Sequence, residues 1–239
     1  MVTAHSKSLA AARAPVQFIY ITGCDGTGKS TQARLLLAQL EAAGRAPMHL
    51  WLRFPFFFTA PLLVYARLRG HSWFEEHNGT RQGYWDFRRS WLLRTLLPWV
   101  LLVDAALAAL GRIYLPLWRG RTIVCERFVL DMVVDLALAV GDPRFHVRLP
   151  GRLFRRLLPR RAQIAILNLD AATLRARRAD LEADRRLEER LLGFERLISD
   201  YKLPALSSRL PVEEVNRQIR NLVHMPELNT PFEQVRVHP

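Results

Sequence analysis

Two kinds of apolar run alternate along the chain. Residues 16–21, 48–54, 122–125 and 163–169 are short stretches rich in β-branched and aromatic residues, apolar at nearly every position. Between them apolar residues recur at helical spacing, as with Ala33, Leu36, Leu37 and Leu40 in a segment 29–43 that ends at Gly44. The same spacing predicts helices over 60–70, 84–97, 99–110, 128–140, 171–201 and 212–223, with a polar segment at 71–83 and a stop at Gly141-Asp142-Pro143. Strands apolar on both faces, separated by helices, predict a parallel sheet covered on both sides. The expected fold is therefore α/β, three-layered, with a mostly parallel sheet of five strands or fewer.

The junction between the first strand and the first helix carries the most specific signal. Residues Gly23, Cys24, Asp25, Gly26, Thr27, Gly28, Lys29, Ser30 and Thr31 read GCDGTGKST, the G-x-x-x-x-G-K-[ST] phosphate-binding loop, or P-loop. Its glycines let successive N–H groups point into one concavity at a helix N-terminus, where the helix dipole favours phosphate. Lys29 is expected at the terminal phosphates, and the Ser30 hydroxyl on Mg2+. Cys24 reads as a small residue tolerated in the loop.

Parallel sheets bind ligands at the carboxyl ends of their strands. Arg53, Glu126, Arg127 and Asp170 each fall where a predicted strand ends, on the edge that carries the P-loop.

The chain has 239 residues, 50% of them hydrophobic and 24% charged, which suits one compact domain. The expected organisation is an N-terminal segment 1–15 without an apolar core, a domain over 16–224 with an insert at about 60–98, and a tail 225–239 with no period. Two cysteines give neither a disulfide framework nor a metal cluster, as in a reducing compartment. The net charge of +13 is mostly arginine dispersed over helices, and no aromatic-basic platform or zinc finger points to nucleic acid. The apolar stretch 91–118 is interrupted by Arg94, Pro98, Asp104, Gly111 and Arg112, so buried helices are expected there, without membrane insertion. The arginines and tryptophans of the insert leave a peripheral membrane contact open.

These motifs resemble the thymidylate kinase family of P-loop nucleoside and nucleotide kinases. The likeness rests on FIYITGCDGTGKSTQ at 18–32, Arg53-Phe54-Pro55, IVCERF at 123–128, Leu169-Asp170 before an arginine-rich lid segment, and PVEEVNRQI at 211–219. It spans residues 16–60 and 100–224 and implies a cytoplasmic kinase using ATP and Mg2+, with thymidylate as the leading acceptor. Lys29 and the loop amides would hold the donor phosphates, with Ser30 and Glu126 at the metal. Glu126 would orient a metal-bound water or act as base, and Arg127 would clamp the transferring or acceptor phosphate. Asp25, Arg53, Phe54 and Arg127 would meet the acceptor. Among the lid arginines Arg175, Arg177, Arg178, Arg185 and Arg186, Arg178 and Arg185 lead for closing over the phosphates, although Arg-Glu alternation also marks a solvated helix. The resemblance extends to a homodimer packing apolar helices such as 99–110.

The acceptor side departs from the family pattern. Thr22 stands where an acid is expected, Phe57 and Ala106 where arginines are expected, and 202–211 has no clear strand. Either arginines of the insert, such as Arg67, Arg69, Arg81, Arg88, Arg89 or Arg112, supply the acceptor contacts, or the acceptor is a nucleoside, sugar or lipid-linked phosphate. A nucleotide-binding module without an acceptor is the further alternative.

Overall fold

The structure is a computed structural model that describes residues 17–54, 57–77, 80–182 and 184–223. The expected segments 1–15 and 225–239, with Val16, Pro55 and Phe56, lie outside the described residues.

Five strands form one parallel sheet: β1 (Phe18–Gly23), β2 (Pro47–Trp51), β5 (Thr122–Glu126), β6 (Gln163–Asn168) and β7 (Ala205–Ser207), in the order β2-β5-β1-β6-β7. All six residues of β1 are buried, because it lies mid-sheet between β5 and β6 with helices on both faces. Its alternate residues serve different layers. Ile19 and Ile21 pack with Val124, Ala165 and Leu167 against α1 (Lys29–Ala42) and α9 (Val212–Leu222). Phe18 and Tyr20 join the larger core with Cys125 and Ile166, under α3 (Trp91–Ala109), α5 (Val129–Val140) and α8 (Leu187–Tyr201). This is a three-layer α/β arrangement with the P-loop strand at its centre.

Three expectations need correction. The polar segment 71–83 and the first two residues of the helix expected at 84–97 form an antiparallel hairpin of β3 (Ser72–His77) and β4 (Thr80–Trp85), separate from the main sheet, and the helix starts later, at Trp91. The breaks expected at Pro98 and Gly111 do not divide the next helix, which runs unbroken from Trp91 to Trp118. Pro98 sits within α3, and a π-helical turn at Leu110–Tyr114 carries the chain into α4 (Leu115–Trp118). By length and composition this helix could cross a membrane, but Leu93, Leu97 and Leu101 belong to the core. Finally, 171–201 is not one helix. It divides into α7 (Ala171–Arg177), a 3-10 turn at Ala179–Leu181, and α8, with Arg178 in extended backbone at the break.

The stretch after Gly141 also holds α6 (Leu149–Arg156), which carries Pro150 in its first turn. The helix α2 (Thr59–Leu68) starts without a local side-chain cap. Instead Asp104, fully buried on α3, accepts hydrogen bonds from the backbone N–H groups of Phe57, Phe58 and Thr59 at 3.0, 3.0 and 2.8 Å. That carboxylate supplies the negative charge and acceptors that a helix start requires.

Candidate active site

The P-loop glycines take backbone angles that side chains resist. Gly23 has φ 137°, and a Cβ there would lie 2.2 Å from the carbonyl oxygen of Leu167 on the neighbouring strand. Gly26, at φ 85°, faces Leu174, Arg178 and Leu181, with the Arg178 Cδ 3.3 Å from where its Cβ would be. The structure thus brings Arg178 over the loop. Its guanidinium pairs with Asp180, the Nε at 2.9 Å.

Inside the loop, the carbonyl of Cys24 accepts hydrogen bonds from the Thr27 hydroxyl at 2.8 Å and from Lys29 Nζ at 2.5 Å. Lys29 is buried and lies 3.7 Å from Asp25. Burial pushes its ammonium below the usual lysine range, against the attraction of Asp131. The Cys24 thiol is 2% exposed and pushed up to about 12 by burial.

Parallel pairing of β1 with β5 sets Ile21 beside Glu126, so the end of β5 reaches the head of α1. There Ser30 donates its hydroxyl to Glu126 Oε2 at 2.7 Å. The other oxygen of Glu126 lies 2.8 Å from His49 Nε2 on β2, a neighbour that its sequence position gave no reason to expect. A hydroxyl and a carboxylate side by side, next to a phosphate cradle, are the hard oxygen donors that Mg2+ takes when phosphate completes its shell. Among the described residues no group of three or more His, Cys, Asp or Glu side chains could enclose a metal, so phosphate or water would have to complete that shell.

Arg127 follows β5 in left-handed backbone, φ 57°, a conformation in which a non-glycine residue is held only by its surroundings. Its guanidinium pairs with Asp25 and lies 3.7 Å from Asp131 Oδ1. Asp131 is buried on α5 and its Oδ2 accepts from Tyr20 Oη, Thr22 Oγ1 and the Phe128 N–H, at 2.8, 2.8 and 3.2 Å. Thr22, where the family resemblance expects an acid, therefore touches a carboxylate delivered from α5.

Beside this cluster lies a cavity of about 310 Å³. Arg53, Phe54, Asp135 and Arg190 line it together with residues of the β3–β4 hairpin, including Tyr84 and Trp85. Arg53 bonds Asp135 Oδ2 through Nε and Nη2, at 3.3 and 3.1 Å, and stacks 5.5 Å from the Phe54 ring centre. Its charge is among those felt by Lys29. Arg190, on α8, bonds Asp184 Oδ2 through Nη1 at 2.7 Å, and its Nε lies 3.7 Å from Asp135 Oδ1. Asp184 and Arg190 stand out only in three dimensions, since in sequence they belong to a charged, solvated-looking stretch.

The remaining arginines are placed elsewhere. Arg185 is exposed and pairs with Glu75 on the hairpin at 3.6 Å. Arg186 donates to the Trp85 carbonyl at 2.7 Å and lies over the stacked rings of Trp73 and Tyr84, at 5.4 and 5.8 Å. Arg175 pairs with Glu188, and Arg177 donates to the Ser208 carbonyl at 2.8 Å. Arg67 and Arg69 cover Phe74 and Tyr65, Arg88 pairs with Asp86, and neither these three nor Arg89 and Arg112 line the cavity. The side chain of Arg81 lies outside the described residues. Asp170 caps α7 by accepting from the Thr173 N–H at 3.0 Å, and Arg209 pairs with it at 2.8 Å.

A P-loop at the centre of a five-stranded parallel sheet flanked by helices is the arrangement of the P-loop kinase fold. No family model matches the chain. It is a distant relative of a thymidylate kinase, that of Symbiobacterium thermophilum, 28% identical over 224 residues that cover 86% of this chain and 92% of that protein.

Proposed function

We propose that the protein is a cytoplasmic, ATP-dependent kinase of the thymidylate kinase type, converting thymidylate and ATP to thymidine diphosphate and ADP. The observation that carries this reading is the convergence of Ser30, Glu126, Arg127 and Asp25 at the P-loop, with Arg53, whose charge Lys29 feels, lining a nearby cavity. Similarity to a thymidylate kinase supports the same class of reaction.

Phosphoryl transfer asks for positioning and charge neutralisation more than for covalent chemistry. Lys29 and the loop amides hold the donor phosphates; on ATP binding, Lys29 exchanges the Cys24 carbonyl for phosphate oxygens. Ser30 and Glu126 would hold Mg2+, which would supply charge neutralisation at the donor phosphates. Arg127, freed from Asp25, offers a planar fork to the moving phosphoryl group, while Asp25 turns to the acceptor. Arg178 closes over the loop from the lid segment. The acceptor phosphate is ionised at neutral pH and needs no base, which leaves Glu126 to the metal.

The test is ADP release from ATP against a panel of nucleoside monophosphates, nucleosides and lipid phosphates, with Lys29→Ala as control. Thymidylate-dependent turnover that Lys29→Ala abolishes is expected; ATP binding without turnover on any acceptor would sink the reading.

A further inference from the structure

Glu126 is buried, yet each of its oxygens has a partner from a different element. Oε2 accepts the Ser30 hydroxyl at 2.7 Å from the head of α1, and Oε1 lies 2.8 Å from His49 Nε2 on β2. A carboxylate only accepts, so Nε2 carries the hydrogen and donates it. Strand register brings His49 there. His49 pairs with Val124 and Trp51 with Glu126, so His49 stands diagonally across from Glu126. Side chains alternate along a strand, which puts His49, Val124 and Glu126 on one face of the sheet, the face on which Val124 packs against α1.

The two contacts do different things. Oε2 faces the hydroxyl at the phosphate cradle, whereas Oε1 is turned to the edge strand β2. The last torsion of a glutamate is broad and roughly two-fold, so one hydrogen bond at Oε2 would leave the carboxylate free to rotate. Lys29, which feels the charge of Glu126, would compete for an oxygen so freed. The His49 bond removes that freedom by holding the second oxygen. The His49 side chain is 44% exposed, so its ring is not needed to fill the core, and among the described residues it makes this one hydrogen bond. Outer partners of a metal-binding carboxylate fix its direction, and losing one costs about ten- to a hundredfold in metal affinity or activity.

We propose that His49 is a positioning residue of the metal site: its Nε2–H holds Glu126 Oε1 so that Oε2 stays directed at Ser30 and at the cation of a bound metal–nucleotide, a role that rests on the kinase reading. His49 acts only through Glu126. A neutral donor that reaches the same point therefore serves in its place, whereas an apolar side chain does not.

The test measures binding of AMPPNP, a slowly hydrolysed ATP analogue, to the full chain by calorimetry, with Mn2+ and again with EDTA. The gain in affinity that Mn2+ confers reads the metal site by itself. His49→Leu is expected to cut that gain about tenfold and to leave the affinity in EDTA unchanged. His49→Gln, whose amide NH2 can take the place of Nε2, is expected to keep the gain within about threefold of wild type. His49→Asn is too short to reach and is expected to lose the gain as Leu does. In a Glu126→Gln background, His49→Leu should change nothing further, and an added loss there overturns the proposal. So does an undiminished gain in His49→Leu, or in His49→Asn where His49→Leu does not fold, and so does wild type in which Mn2+ confers no gain. Wild type that binds AMPPNP with Mn2+ but phosphorylates no acceptor sinks the kinase reading alone, and the calorimetry still decides the role of His49.

Discussion

Ser30 donates its hydroxyl to Glu126 across 2.7 Å, tying the first turn of α1 to the end of β5. The contact follows from strand order, since β5 lies directly beside the P-loop strand and Glu126 is its last residue. Glu126→Gln keeps the shape but removes the charge that a divalent cation needs. It should lower kcat on the order of a hundredfold and raise the Mg2+ concentration for half-maximal rate, read from ADP release across a Mg2+ titration.

Lys29 is held in the free protein at a cost, since burial disfavours its charged form. Its lowered pKa means that the folded state binds this proton less tightly than the unfolded chain. The ammonium therefore subtracts from stability at neutral pH, and the loss is relieved as pH rises toward 10.5. Lys29→Met should melt no lower than wild type without nucleotide. It should also lose the ATP-induced rise in melting temperature, which for wild type at a hundredfold excess over Kd corresponds to about 2.7 kcal/mol.

The thiols of Cys24 and Cys125 are both raised by burial, Cys24 to about 12. At pH 8 the Cys24 thiolate is on the order of one part in ten thousand. Neither cysteine should react with a thiol reagent in native protein at that pH, whereas both should react in denaturant. Because the folded values lie above the unfolded ones, their contribution to stability is complete below about pH 8.5 and is lost as pH rises toward the folded values. Cys24→Ala should flatten the decline in melting temperature between pH 9 and the folded value of about 12.

Asp104 accepts three backbone N–H groups at the start of α2 and is fully buried. Asp104→Ala leaves those donors, the buried Thr59 N–H among them, without their acceptor, and should cost about 3 kcal/mol in urea unfolding. Asp104→Asn retains one carbonyl oxygen and should lose less.

How much was legible in the sequence depended on where each signal resides. Strands buried on both faces leave unbroken apolar runs, so 16–21, 122–125 and 163–169 located β1, β5 and β6 within two residues of their bounds. The hairpin escaped because β3 and β4 pair only with each other and carry Glu75, Glu76 and Gly83, which neither run nor alternate as a core strand does. The Asn78-Gly79 pair between them was the available signal, since that dipeptide favours a two-residue hairpin connection. Pro98 and Gly111 read as breaks, yet a helix supported by core packing on one face tolerates both. On the donor side, the site residues are contiguous in sequence and a motif can name them. Arg190 and Asp135 are 55 positions apart, and only the packing of α8 against α5 joins them.

The position of Asp104 has a meaning beyond stability. Its carboxylate fastens the start of α2 to the middle of α3, and the β3–β4 hairpin occupies the loop between those helices. The two helices that flank that loop are therefore tied together independently of what it contains. The hairpin can be lengthened, shortened or replaced while the P-loop on β1 and α1 and the Glu126-Arg127 pair after β5 stay where they are. A scaffold built this way can change one wall of the cavity without moving the P-loop.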